Sequence, residues 1–281
     1  DLHSFPTRRS SDLQLEGSGE PLIFVHGWSA NSSYFKEQVE YFSDYYKVVT
    51  YDLRGHGRSD RRPEITEKNM TMERLAEDVK ELAEHLNLKK INICGWSMGV
   101  SILLCYIRMF GCKNLNTISL IDMTPKLLND NEWNLGDFDA YDNLVFTRDV
   151  ATNWEGVVPE ALPELFARDT DRESELYKWV EGNMRDNIPH VMSALWLAMA
   201  LGDYRDVLPS VSVPAFLAYS SGGDMYGPEH GEYMKKHIPG SKLVIFENCG
   251  HSLYIENSKK FNRDYPSWRS EERRVGKECR S

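Results

Sequence analysis

Short apolar runs alternate along the chain with stretches whose apolar residues recur at helical spacing. Leu22–His26, Lys47–Asp52, Lys90–Cys94, Thr117–Asp122, Val213–Tyr219 and Lys242–Glu247 are predicted as strands. Between and after them, Asn31–Ser43, Thr71–Leu86, Met98–Phe110, Pro228–His237 and, more weakly, Ser252–Phe261 carry helical periodicity. Thr71 or Asn69 is placed to cap the second of these helices. Strands and helices in alternation predict βαβ units, hence a mostly parallel sheet flanked by helices.

One stretch breaks the alternation. From Lys126 to Leu208 there is no good strand, and the pattern gives four helical patches instead: Asp137–Thr152, Pro159–Arg168, Arg172–Arg185 and Pro189–Leu201. A structureless loop of that length is implausible in a compact domain, so the segment is expected to be a helical insertion. Its place between two strands of the sheet predicts a lid over residues 126–208, with the core formed by 14–125 and 209–268.

The termini change what counts as the domain. Residues 1–13 and 269–281 read as translated sequencing-library adapter, so both are set aside as artefact and both natural ends are expected to be truncated. The head carries two charges of each sign and the tail five positive against three negative, so the net charge of −10 for the whole chain becomes −12 for residues 14–268. An acidic body of this kind disfavours nucleic acid and anionic membrane as partners. No apolar run is long enough to span a bilayer. Within 14–268, Cys94, Cys105, Cys112 and Cys249 show neither a disulfide framework nor metal-ligand spacing. Buried thiols and a cytoplasmic setting are therefore expected, although a targeting peptide would have preceded residue 14.

The chemistry concentrates at Gly95-Trp96-Ser97-Met98-Gly99. With a strand before it and a helix after it, this G-x-S-x-G segment predicts a sharp turn that lifts the Ser97 hydroxyl clear of the sheet as a nucleophile. A serine nucleophile needs a base, and the base needs an orienting carboxylate. His251 directly follows the last predicted strand and is the expected base; Asp224, in Gly222-Gly223-Asp224 after the preceding strand, is the expected acid. Asp122, at the end of the strand before the insertion, is the rival acid. Of the other histidines, His3 falls in the adapter, His85, His190, His230 and His237 fall on helical faces, and His26 and His56 belong to turns. Cys249 is not expected to act as a nucleophile, because the serine turn already supplies one. The oxyanion needs two backbone donors, for which the amides of Met98 and of Trp28, in His26-Gly27-Trp28, are the candidates.

In this order, His26-Gly27-Trp28, the turn from Asp52 to Ser59, the serine turn, Gly223-Asp224 and Gly250-His251 resemble the α/β-hydrolase superfamily over nearly all of residues 14–266. The triad order Ser97, Asp224, His251 is the order of that superfamily. The chain is similar to its lidded, cofactor-free serine esterases, a group that includes arylesterases called non-haem chloroperoxidases and carbon-carbon bond hydrolases of aromatic degradation. The resemblance implies an α/β-hydrolase fold with a helical lid, no cofactor, and a mainly structural role for the turn carrying Arg54 and His56. Two features depart from the pattern: little more than Gln14–Gly17 is left of the usual opening hairpin, and the final helix is cut short. A serine at position 97 argues against dehalogenase and epoxide-hydrolase chemistry, which uses aspartate there, and no phosphate loop or H-E-x-x-H metal pair occurs.

These readings together imply a serine hydrolase acting on a small, largely apolar carboxylic ester. A carbon-carbon bond hydrolase, a perhydrolase, or a ligand receptor on the same scaffold are the alternatives. Acyl length, leaving group and oligomeric state are not set by the sequence. The insertion carries Trp133, Phe138, Phe146, Trp154, Phe166, Trp179, Met192, Trp196 and Met199, of which those facing Ser97 would shape the pocket.

Overall fold

A computed structural model describes residues 13–59 and 69–265. All six predicted strands form, as β2 (Glu20–Val25), β3 (Tyr46–Tyr51), β4 (Ile91–Trp96), β5 (Leu115–Ile121), β6 (Ala215–Ser220) and β7 (Lys242–Phe246). A short β1 (Leu13–Glu16) pairs antiparallel with β3. Leu13, assigned to the adapter by sequence, is thus the first residue of β1, whereas residues 1–12 and 269–281 lie outside the described part. The sheet runs in the order β1-β3-β2-β4-β5-β6-β7 and is parallel apart from β1. Every residue of β4 and of β6 is buried, as expected when helices cover both faces of a parallel sheet.

The helices around the sheet are α1 (Lys36–Phe42), α2 (Met72–His85) and α3 (Met98–Phe110). Instead of one helix from Asn31 to Ser43, Asn31 caps a 3-10 turn at Ser32–Phe35 that leads into α1. Thr71 caps α2, its hydroxyl oxygen accepting from the Arg74 amide at 3.1 Å. Between β5 and β6 lie α4 (Ala140–Thr152), α5 (Trp154–Ala161), α6 (Glu175–Arg185) and α7 (Pro189–Ala200). Here the reading of a helix starting at Pro159 is corrected: Pro159 sits inside α5, and a separate 3-10 turn covers Pro163–Leu165. Beyond β6 come α8 (Pro228–His237) and α9 (Leu253–Glu256), followed by helical residues 258–265.

The strand order places the site. The chain goes from β2 outward to β3, then crosses back to β4 on the other side of β2. Side-by-side parallel strands whose connections leave in opposite directions open a crevice at their carboxyl ends, where ligands bind in open α/β sheets. The segments that leave β2 and β4 at that crevice are His26-Gly27-Trp28 and the turn at Ser97.

Candidate active site

Ser97 joins β4 directly to α3 with φ +55° and ψ −124°, a conformation that costs a non-glycine residue about 1–3 kcal/mol. The surrounding glycines allow it by close approach. A Cβ on Gly95 would lie 2.7 Å from the Gly99 carbonyl, and one on Gly99 would lie 2.3 Å from the Val25 carbonyl oxygen. The β2 loop passes equally close, because a Cβ on Gly27 would stand 2.8 Å from the Ser97 Cβ. Gly27 therefore brings the Trp28 backbone up beside the serine. Met98 is the first residue of α3, where N–H groups have no partner within the helix. Among the described residues neither the Met98 nor the Trp28 amide donates a hydrogen bond.

The loop carrying Trp28 is stitched to the turn after β3. His26 Nδ1–H donates to its neighbour Gly27 O at 2.8 Å while Nε2 accepts from the Leu53 amide at 2.9 Å. Burial lowers His26 to about 4, against the opposing pull of Asp52 and the Gly27 carbonyl, so the ring is neutral as this bonding requires. His56 Nε2 accepts from the Ser29 amide at 3.3 Å, and Asp52 accepts from the amides of Ser32 and Arg58, both at 2.8 Å. Arg54 forms two hydrogen bonds to Asp78, at 3.0 and 2.7 Å. This network braces the backbone beside Ser97.

His251 lies in the loop between β7 and α9, almost fully buried, with its ring 5.2 Å from the Trp96 ring. Its partner is Asp122: His251 Nδ1 and Asp122 Oδ2 are 2.8 Å apart. The other Asp122 oxygen accepts from the Ser220 amide at 2.9 Å. Burial pushes the Asp122 carboxyl above the usual carboxylate range, and the His251 and Ser220 donors oppose that shift. With Nδ1–H donating to the acid, Nε2 carries the lone pair.

The sequence reading of Asp224 as the partner of His251 is corrected by this geometry. The two loops do touch, since a Cβ on Gly223 would lie 2.8 Å from Gly250 Cα, but the Asp224 side chain is half exposed and pairs with Arg168 of the insertion. Arg168 Nη2–H also donates to the Gly223 carbonyl at 2.6 Å. A solvated carboxylate already held by a guanidinium cannot orient a buried imidazole.

Ser97 and His251 open into a cavity of about 300 Å³. Its apolar wall comes from Trp28, Phe138, Phe146, Leu165, Met184, Trp196 and Met225, and its polar lining includes Asp137, Glu160 and Glu164. Of the insertion's tryptophans, then, Trp196 reaches the cavity. Trp133 packs on Tyr233, Trp154 donates to the Met184 carbonyl, and Trp179 lies against Tyr34. Trp28 Nε1–H donates to Met192 O at 2.8 Å, tying the β2 loop to α7. The cysteines Cys94, Cys105, Cys112 and Cys249 are buried, and burial raises the Cys249 thiol to about 11, far from a reactive thiolate. Among the described residues no group of three or more His, Cys, Asp or Glu converges to hold a metal ion, and no helix is long and apolar enough to cross a membrane.

A strained serine between β4 and α3, a buried histidine after β7 and a helical insertion after β5 are laid out on one sheet, and the model of the alpha/beta hydrolase fold family matches residues 20–258. The chain belongs to this family. Among curated relatives, 3-oxoadipate enol-lactonase 1 of Acinetobacter baylyi is 24% identical, the match covering 90% of each chain. Non-heme chloroperoxidase CPO-A1 of Kitasatospora aureofaciens is 23% identical over 88% of this chain and 91% of its own. Among solved structures, an esterase from Exiguobacterium antarcticum superposes with a TM-score of 0.84 at 24% identity, covering 91% of this α/β hydrolase and 94% of its own chain.

Proposed function

We propose that this α/β hydrolase is a serine esterase for small, largely apolar carboxylic esters, with Ser97, His251 and Asp122 as its triad. The observation that carries the reading is the buried hydrogen bond from His251 to Asp122 together with a strained serine, Ser97 and His251 both lining a mainly apolar cavity. Names of the relatives, lactonase and esterase, support the same bond type.

In this mechanism His251 Nε2 takes the proton of the Ser97 hydroxyl as its oxygen attacks the ester carbonyl. Asp122 holds the imidazole in the productive tautomer and stabilises the imidazolium. The amides of Met98 and Trp28 receive the oxyanion. The imidazolium then protonates the departing alkoxide, and water, deprotonated by the same His251, releases the acid from the acyl-serine. The helical insertion acts as the lid, since Trp196, Phe138 and Phe146 supply much of the wall over the serine.

A second reading is favoured by the relative named as a chloroperoxidase. Hydrogen peroxide would replace water in the last step and the acyl-serine would release a peracid. Hydrolysis of p-nitrophenyl esters of graded acyl length, with and without peroxide, separates the two outcomes. A fluorophosphonate should label the parent at Ser97, and Ser97→Ala should abolish labelling and lower turnover by about 10⁴-fold or more. Labelling that persists in Ser97→Ala would reject the assignment.

A further inference from the structure

The residue after Trp28 holds a costly conformation. Ser29 has φ +58°, a left-handed backbone that a non-glycine residue keeps only where its surroundings over-determine it. It is buried and lines the cavity, next in sequence to the residue whose amide is assigned to the oxyanion. Its N–H donates to His56 Nε2, in the turn after β3, at 3.3 Å. Its carbonyl is held by the insertion: Asn187, in the short connection between α6 and α7, donates from Nδ2 to Ser29 O at 2.8 Å.

The Asn187 amide has its direction set by its neighbours. Besides Ser29 O, its Nδ2 lies 3.1 Å from both Asn183 O and Met184 O, so a reversed amide would turn Oδ1 against three carbonyls. Oδ1 itself is buried and has no partner among the described residues. An unpaired buried oxygen costs stability, so packing alone does not explain an asparagine here, whereas the hold on Ser29 does. Two further bonds join the same loop to the insertion. Trp28 Nε1–H donates to Met192 O at 2.8 Å, and Asn31 Nδ2–H donates to Asn183 Oδ1 at 2.7 Å.

We propose that Asn187 is a positioning residue of the oxyanion hole: by holding the Ser29 carbonyl, it lets the insertion set where the Trp28 amide points. The proposal rests on the esterase reading above and adds that the insertion shares in stabilising the transition state as well as walling the cavity. Without the Asn187 donor, Ser29 relaxes out of the left-handed region and the adjoining Trp28 backbone shifts relative to Ser97. A donor displaced in this way fits the developing oxyanion less well, while contacts to the uncharged ester in the apolar cavity are kept.

The experiment compares two inhibitors of one shape, a propyl trifluoromethyl ketone and the matching methyl ketone. Ser97 Oγ adds to the fluorinated carbonyl carbon, its proton passes to His251, and the carbonyl oxygen becomes an oxyanion in the hole; the methyl ketone binds without adding. The ratio of the two inhibition constants does not depend on the amount of folded enzyme, and changes in cavity fit cancel within it. In wild type the fluorinated ketone should bind at least about 10²-fold tighter. In Asn187→Ala that ratio should fall about tenfold or more, with kcat for a p-nitrophenyl ester falling in parallel and KM staying within about threefold. Asn187→Ser, which keeps a hydroxyl but is too short to hold Ser29 O, should show the same fall and serves if the alanine variant does not fold. Asn183→Ala breaks the link to Asn31 instead and should leave the ratio within about twofold of wild type, which separates the Ser29 contact from a general loosening of the insertion. A wild-type ratio in Asn187→Ala or Asn187→Ser, or an equal fall in Asn183→Ala, would overturn the inference while leaving the esterase reading standing. A wild-type protein that binds the two ketones alike and takes no fluorophosphonate label would overturn both.

Discussion

The loops that follow β5 and β6 each present an aspartate to the same end of the sheet, yet the two side chains live in opposite environments. Asp122 comes immediately after β5, fully buried, with φ +50° and one donor on each oxygen. Asp224 lies four residues beyond β6, half exposed and paired with Arg168. A buried carboxylate is costly unless its partners are fixed, and the donors at Asp122 are fixed by the β6 backbone and by the packed His251 ring. An exposed pair such as Asp224 with Arg168 contributes about 0–1 kcal/mol and leaves the carboxylate in water. The contrast teaches that following a strand in the right order does not bring an aspartate to the imidazole; here the enclosed one meets it and the exposed one does not.

The sharpest way to break this comparison is to neutralise Asp122. Asp122→Asn keeps the shape but offers an amide where an acceptor is needed, favouring the wrong His251 tautomer and leaving the imidazolium unsupported. Esterase kcat should fall by about 10⁴-fold, measured on the best p-nitrophenyl ester, with circular dichroism unchanged. A variant within tenfold of wild type would remove Asp122 from the triad.

Glu256 tests how the insertion and the histidine loop are held together. One of its oxygens accepts from the Gly250 amide at 2.7 Å and the other from the Ala167 amide at 2.9 Å, so a single carboxylate links the residue before His251 to the insertion. Ser252 N–H donating to Leu165 O at 2.8 Å makes a second link. Glu256→Gln turns an amide group towards one of those N–H donors. Displacement of His251 by a fraction of an ångström should lower kcat by about 10- to 100-fold. If kcat were unchanged while Tm fell, Glu256 would be holding the fold and not the imidazole.

Much of this arrangement was legible before the structure. The six parallel strands were readable because sheets covered on both faces need unbroken apolar runs, as in β4 and β6. The turn at Ser97 was readable because its requirement is local: strand, two close glycines and helix within a short stretch. The carboxylate partner of His251 was not readable from order alone, because the choice between Asp122 and Asp224 depends on the Ser220 amide and on Arg168, both distant in sequence from at least one of the contenders. A signal was present nonetheless: Asp122 directly follows Leu120-Ile121 at the end of a mainly apolar strand, which predicts burial, whereas Asp224 follows Ser-Ser-Gly-Gly, which predicts exposure. The insertion resisted for a different reason. Which faces of α4 and α7 meet Ser97 depends on how those helices pack, so the inward position of Trp196 could not be told from spacing.

The smallest expected effect is also the most direct check on the comparison. Asp224→Asn removes a charge from an exposed ion pair and leaves the backbone of the Gly222-Gly223 loop free to keep its contact with Gly250. The Arg168 side chain retains its hydrogen bond to the Gly223 carbonyl, so the anchor of the insertion at this loop survives the loss of charge. Stability should change by no more than about 0.5 kcal/mol, and kcat by less than about threefold, because an exposed group paired elsewhere holds neither the fold nor the imidazole. Salt should erase even this difference, since exposed charges are screened over about 8 Å at physiological ionic strength. Both aspartate variants are assayed side by side on one ester at two salt concentrations. If Asp224→Asn were the crippled enzyme and Asp122→Asn the active one, the roles of the two loops would have to be exchanged, and His251 would have to turn from β5 towards β6 during catalysis.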